Sequence, residues 1–143
     1  MKELKTYGFT LIELVIVMAI IATLTALATF NFSQARVRAR DVQRKNELKA
    51  IQNALELYKS DKMPQEYPAG DLTAALITTY MPKLPVDPKV KADAVSWDDY
   101  TYTWVDNLHY TLTACLENTS DPDKTATTCG ASSSGYIYQL TQP

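Results

Sequence analysis

The chain has 143 residues, enough for one domain and an accessory segment. Its formal charge of −2 and pI near 5.3 exclude a whole-protein attraction to nucleic acid. The apolar residues are unevenly spread, and their placement is more informative than their total.

From Phe9 to Phe30 the chain runs FTLIELVIVMAIIATLTALATF, with Glu13 its single charge. As a helix this stretch spans about 33 Å, enough for a hydrocarbon core of roughly 30 Å. A secretory signal peptide is the competing reading, with Lys2 and Lys5 as a basic start and Ala26-Leu27-Ala28 as a small-residue cleavage site. The run exceeds a signal core of roughly 7–15 residues. It also contains Glu13, and a carboxylate at the bilayer centre costs on the order of 2.5–3.5 kcal/mol. A helical pattern continues beyond it without a break.

No Pro or Gly occurs between Phe9 and Met63, and residues 33–62 are rich in good helix formers. One helix is predicted from about Phe9 to about Ser60. Leu48, Ile51, Leu55 and Tyr58 form one apolar stripe, suited to packing on a domain. Ala35, Ala39 and Val42 form a narrower stripe on nearly the opposite side. Arg36, Arg38, Arg40, Asp41, Arg44, Lys45, Glu47 and Lys49 lie between and around them. Counting Lys2 and Lys5 against Arg36, Arg38, Arg40, Arg44 and Lys45 places the C-terminal side in the cytoplasm. The cysteines and the sheet-like tail point outside, and charge counting leaves the conflict open.

Pro64 ends the helix. Asp71 is positioned to cap a short helix carrying Leu72, Ala75, Leu76 and Tyr80 on one side. Pro82, Pro85 and Pro88 punctuate a stiff connector. The period then becomes two. Tyr100, Tyr102 and Trp104 alternate with threonines, Asp106-Asn107 turns the chain, and Tyr110, Leu112, Ala114 and Leu116 form a second alternating set. Residues 117–134 are polar and loop-like. Tyr136–Leu140 is a third strand, giving a sheet whose apolar face matches the Leu48–Tyr58 stripe.

Cys115 and Cys129 make an even pair on a chain that enters the membrane, which suggests a disulfide and an oxidising compartment. Two unrelated free thiols are the alternative. A loop of about 15 residues would stabilise the fold by roughly 3 kcal/mol on the chain-entropy model.

The segment Gly8-Phe9-Thr10-Leu11-Ile12-Glu13-Leu14, behind a short basic leader, resembles the class III signal of the type IV filament superfamily, the type IV pilins and type II secretion pseudopilins. Leu84–Pro88, "LPVDP", looks like a segment of major pseudopilins, and Tyr110–Asn118 looks like the closing sheet of pilin-like domains. The resemblance implies an α+β, pilin-like fold. Residues 1–8 would be a cytoplasmic leader and 9–32 a transmembrane and filament-core helix. Residues 33–143 would form an extracytoplasmic domain with a three-stranded sheet. It implies cleavage after Gly8 by a membrane peptidase that also methylates the new amine of Phe9. Glu13 matches the family's acidic position and has no intramolecular partner in this reading. In a helical stack its carboxylate would meet the Phe9 amine of a neighbouring subunit.

The implied partners are further copies in a homopolymer, the prepilin peptidase and N-methyltransferase, an inner-membrane assembly platform with its ATPase, other minor pilins or pseudopilins, and membrane lipid before assembly. The implied role is a subunit of a type II secretion pseudopilus, with a major or minor type IV pilin for adhesion, motility or DNA uptake as the alternative. The leader would stay cytoplasmic and the domain outside. The arginines would then meet outer-leaflet headgroups before assembly and neighbours' acidic groups after it.

The acidic loop with Glu117, Asp121 and Asp123 is similar to the calcium loops of some pseudopilins, but its spacing matches no defined metal site. Solvated turn carboxylates and no cofactor are expected. An enzyme reading finds only a lone strand histidine, His109, and no nucleotide-binding or hydrolase motif. DNA contact by the arginines is disfavoured by the acids among them, Asp41 and Glu47.

Overall fold

The structure is a computed structural model that describes residues 8–90, 97–129 and 135–142, with side chains at 28–31 left out of the description. The leader, Met1 to Tyr7, and residues 130–134 of the polar segment lie outside the described residues. The chain divides into two units, residues 1–36 and 37–143.

The predicted long helix is present as α1, Leu11–Asp61, 51 residues without interruption. In the first unit its described apolar side chains are exposed, with Leu11, Ile12, Leu14, Val15, Met18, Ile21, Leu24 and Leu27 each more than half accessible. No part of the most apolar window is covered by the chain itself. By length and composition this helix is able to cross a membrane.

In the second unit the expected stripe is the core. Leu48, Ile51, Ala54 and Leu55 of α1 pack against Tyr110, Leu112, Ala114 and Leu116, with Tyr58 partly buried beside them. Ala39 and Val42 stay exposed. Asp71 caps α2, Leu72–Leu76, by accepting a hydrogen bond from Thr73 N at 2.8 Å. Leu72 and Leu76 are buried, and Ala75 and Tyr80 lie against the core as predicted.

The sheet has four strands rather than three. They are β1 (Thr101–Asp106), β2 (His109–Leu116), β3 (Lys124–Cys129) and β4 (Gly135–Thr141), antiparallel in the order β1-β2-β4-β3. The fold is therefore α+β, a long apolar N-terminal helix and a small antiparallel sheet in a pilin-like arrangement. The missed strand is β3, KTATTC, inside the segment expected to be loop. It is an edge strand with no alternating apolar set, so hydrophobic periodicity does not reveal it; only its β-branched threonines hint at it. Trp104, expected on the buried face, is 39% exposed. The register breaks between Trp104 and Asp106, which turns the end of β1 away from the core.

Cys115 and Cys129 form the expected disulfide. It joins β2 to β3 across the start of β4, where Gly135 pairs with Cys129. A Cβ at Gly135 would lie 2.6 Å from Cys115 Sγ, 2.7 Å from the Leu116 carbonyl oxygen and 2.9 Å from the Trp97 ring. Glycine is required there by close approach. Gly135→Ala should destabilise the chain by about 2 kcal/mol and lower its thermal midpoint in detergent by about 10 °C. Gly8→Ala, with nothing within 4 Å of the added carbon, should leave the midpoint unchanged.

Candidate functional site

Two groups of residues carry chemistry. The first is the segment before and at the start of α1. Gly8, Phe9 and Thr10 precede the helix and are exposed, Phe9 at 80%. Glu13 was expected to lack an intramolecular partner, and this is corrected. Its Oε2 accepts from Thr10 N at 2.9 Å and from Thr10 Oγ at 2.7 Å, while Glu13 N donates back to Thr10 Oγ at 3.4 Å. This is a capping box, and its Thr-x-x-Glu signature was present in the sequence. The carboxylate thus satisfies the Thr10 N–H and the Thr10 hydroxyl satisfies the Glu13 N–H, groups that the helix start would otherwise leave unpaired.

The second group is the set of cations on α1. They were expected to be a solvated face, available to lipid or to neighbouring subunits. Instead, three of the five are consumed within the domain. Arg44 is fully buried. Its Nε and Nη2 donate to Asp87 Oδ2 at 2.6 Å and Oδ1 at 3.0 Å, and its Nη1 donates to Asp41 Oδ1 at 2.7 Å and Glu117 Oε1 at 2.8 Å. Arg40 grips Glu117 with two parallel bonds, Nε to Oε1 at 2.7 Å and Nη2 to Oε2 at 2.6 Å. Lys45 Nζ donates to Asp121 Oδ1 and Asp123 Oδ2, both at 2.7 Å. Asp41 also accepts from the backbone N–H groups of Glu117 and Asn118, at 3.0 and 2.8 Å. The indole of Trp97 is close to two cations, Arg44 at 5.1 Å and Lys89 at 3.8 Å from its ring centre.

The acidic loop is likewise corrected. Glu117 and Asp121 are largely withdrawn from solvent and Asp123 stays exposed, and all three bind the cations of α1. An ammonium group occupies the space between Asp121 and Asp123 where a bound cation would sit. Among the described residues no group of three or more His, Cys, Asp or Glu side chains is arranged to hold a metal ion.

Burial works to raise the Glu117 carboxyl, but the hydrogen bonds and charges of Arg40 and Arg44 outweigh it and bring the pKa down to about 2. Burial likewise opposes the charge of Arg44, and the bonds from Asp87, Glu117 and Asp41 overcome it and raise its pKa. Lys45 is raised by Asp121 and Asp123 against its own partial burial.

Sequence reasoning did not find Asp87 or the role of Asp41. Asp41 and Arg44 are three apart on a helix, which is a legible pair. Asp87 is 43 residues from Arg44 and stands in a proline-punctuated connector, so no spacing rule links them. The other titratable candidate, His109, is exposed and bonded through Nδ1 to Asp106 at 2.7 Å, a pair within the β1–β2 turn.

Residues 4–29 match the family model for the prokaryotic N-terminal methylation motif. Among curated proteins, the type IV major pilin protein PilA of Myxococcus xanthus (strain DK1622) is 46% identical over 58 residues, covering 41% of this chain. The chain spans about a quarter of that relative's length, 26%. No solved structure matches the chain. The motif and the relative support a place in the type IV pilin and pseudopilin superfamily.

Glu117 is lowered from an ordinary value of 4.5 to about 2. Its stabilising contribution is therefore complete above pH 4.5 and is lost as the pH falls from there towards 2. The loss should be on the order of 3 kcal/mol. Chemical denaturation at stepped pH should show Glu117→Gln less stable than the parent at pH 6, and the two converging near pH 2.

Proposed function

We propose that the chain is a structural subunit of a type IV filament, without catalytic activity of its own. It is held by its apolar helix in the cytoplasmic membrane, with its leader cytoplasmic and its domain outside, until it polymerises. The observation that carries this reading is the Gly8–Glu13 segment, matched by the methylation-motif model. Both Gly8 and Phe9 are exposed just before α1, so the bond between them is open to a peptidase. Nothing in the chain itself demands a glycine at position 8, since a Cβ there would meet nothing within 4 Å. The requirement lies with the enzyme that reads it, a membrane prepilin peptidase that also methylates the new amine.

Cleavage leaves a cationic amine on Phe9, one turn from the Glu13 carboxylate. Across two subunits such opposite charges at about 4 Å attract by about 4 kcal/mol at an effective dielectric near 20. The pair sets axial register, and the exposed apolar side chains of the first unit supply cohesion. Further copies of the chain, minor subunits and a membrane assembly platform with its ATPase are the partners of this reading.

A type IV pilus is better supported than a secretion pseudopilus. The disulfide and the major-pilin relative favour the pilus. The "LPVDP" segment that suggested a pseudopilin has a domestic explanation, because Asp87 neutralises Arg44.

Mass spectrometry of mature protein should find a chain beginning with N-methylated Phe9; a chain beginning at Thr29, after Ala26-Leu27-Ala28, would overturn the proposal. The role of Glu13 is separable from its capping. Glu13→Gln keeps a capping acceptor but removes the charge, whereas Thr10→Val removes the cap at a cost of about 1 kcal/mol and keeps the charge. With either variant as the sole subunit, the chain should remain membrane-inserted. Filament yield should collapse with Glu13→Gln and persist with Thr10→Val. Normal yield with Glu13→Gln would refute the charge pairing.

A further inference from the structure

Among the described residues of the second unit, the exposed large apolar side chains fall into two places. Most gather at one end. Leu57 lies near the end of α1, Met63 follows it at 98% exposure, and Trp104, Val105 and Leu108 stand around the β1–β2 turn. Tyr67 ties these segments together. Its N–H donates to the Asn107 carbonyl oxygen at 2.9 Å, and its hydroxyl donates to Glu56 Oε1 at 2.5 Å. Three carboxylates stand at this end, Asp61, Glu66 and Asp106, the last bonded to His109. The lysines there, Lys59 and Lys62, are turned onto the rings of Tyr67 and Tyr58. The remaining exposed side chain, Val42, lies on α1 roughly 28 Å from the helix end at 1.5 Å per residue. Exposed Ala39 is beside it, with Arg38 one turn before and Lys49 two turns after. Arg38 and Lys49 are exposed and form no ion pair among the described residues.

Resting on the filament reading above, we propose that the acidic apolar end of one domain, built on Met63, Trp104 and Leu108, docks on the basic Ala39–Val42 face of α1 in a second copy of the chain. Each surface has apolar side chains flanked by charge, and the flanking charges are of opposite sign. The two cannot meet within one chain, because uninterrupted α1 holds them apart. Between copies they make a heterologous contact, one surface against a different one, and such contacts repeat into an open helical assembly when the rotation does not close. Trp104 is the anchor, an aromatic side chain that the irregular end of β1 leaves partly exposed. Arg38 and Lys49 against Asp61 and Asp106 select this pairing over an end-to-end contact, which would set carboxylates against carboxylates.

The test uses sheared filaments of the full chain with a photoreactive benzoylphenylalanine in place of Val42. Irradiation should join position 42 to residues 57–66 or 104–108. Within one chain, α1 keeps position 42 roughly 20 Å or more from position 57, so such a product joins two copies. With Val42→Ser or Leu108→Ser as the sole subunit, filament yield should fall about tenfold, with the membrane-inserted amount and the thermal midpoint unchanged. Independent effects would multiply to about a hundredfold in the double variant; a shared contact should hold it near tenfold. Met63→Ser, at an almost fully exposed side chain, should lower the yield about threefold and guards against a folding defect. Crosslinks from position 42 only to other parts of the chain, to lipid or to another protein would overturn the docking and leave the filament reading intact. Normal yield with both Leu108→Ser and Met63→Ser, or a hundredfold loss in the double variant, would do the same. A parent that forms no filaments would overturn both.

Discussion

The domain is organised around one fully buried guanidinium. Arg44 enters the interior from α1 and meets carboxylates from its own helix, from the connector before the sheet, and from the end of β2. An isolated buried charge is prohibitive, and a buried pair that loses one partner typically costs about 3–5 kcal/mol. The chain therefore has to bring Asp87 and Glu117 to the same face of α1, and that requirement orients three segments with no helix or sheet hydrogen bonds between them. Hydrophobic contact between Leu48, Ile51 and Leu55 and the inner face of β2 supplies adhesion but is tolerant of small slides. The fork of Arg44, satisfied at each nitrogen by a defined oxygen, is not.

The disulfide acts at the edge of this centre. It fixes β3 to β2 over Gly135, and Trp97 fills the adjoining space while its face receives Arg44 and Lys89. Covalent closure and ion pairing thus reinforce each other. The loop is held at its ends by sulfur and along its length by Arg40, Arg44 and Lys45 on α1.

The first unit obeys different physics. Its described side chains make no core, and a contiguous exposed apolar surface of this kind marks a membrane or protein interaction site, which the proposed membrane-held subunit accounts for. A carboxylate in such a helix has two needs, a local donor and a counter-charge. Thr10 meets the first within the chain. Among the described residues no ion pair supplies the second, and a neighbouring copy's Phe9 amine is the counter-charge proposed for it.

Patterns of period 3.6 and 2 were legible in the sequence because they record which face of each element leaves water. They located α1, its Leu48–Tyr58 stripe, the Asp71 cap, the β1–β2 hairpin and β4. The local signature at Gly8–Glu13 was legible because it is a contiguous run of residues, matched as sequence by the methylation-motif model. The fourth strand was not, since an edge strand of threonines buries no periodic face. The cation cluster was misjudged for a related reason. Charge along a chain carries no information about its counter-charge when the partners, Asp87 and Glu117, stand 43 and 73 residues from Arg44. Sequence alone determined every element but β3, the apolar segment and the methylation motif, because each depends on neighbours within a few turns. Only the tertiary structure decided which charges are exposed and which are neutralised, because electrostatic energy depends on distance through space and on burial, and both are set when the chain closes on itself.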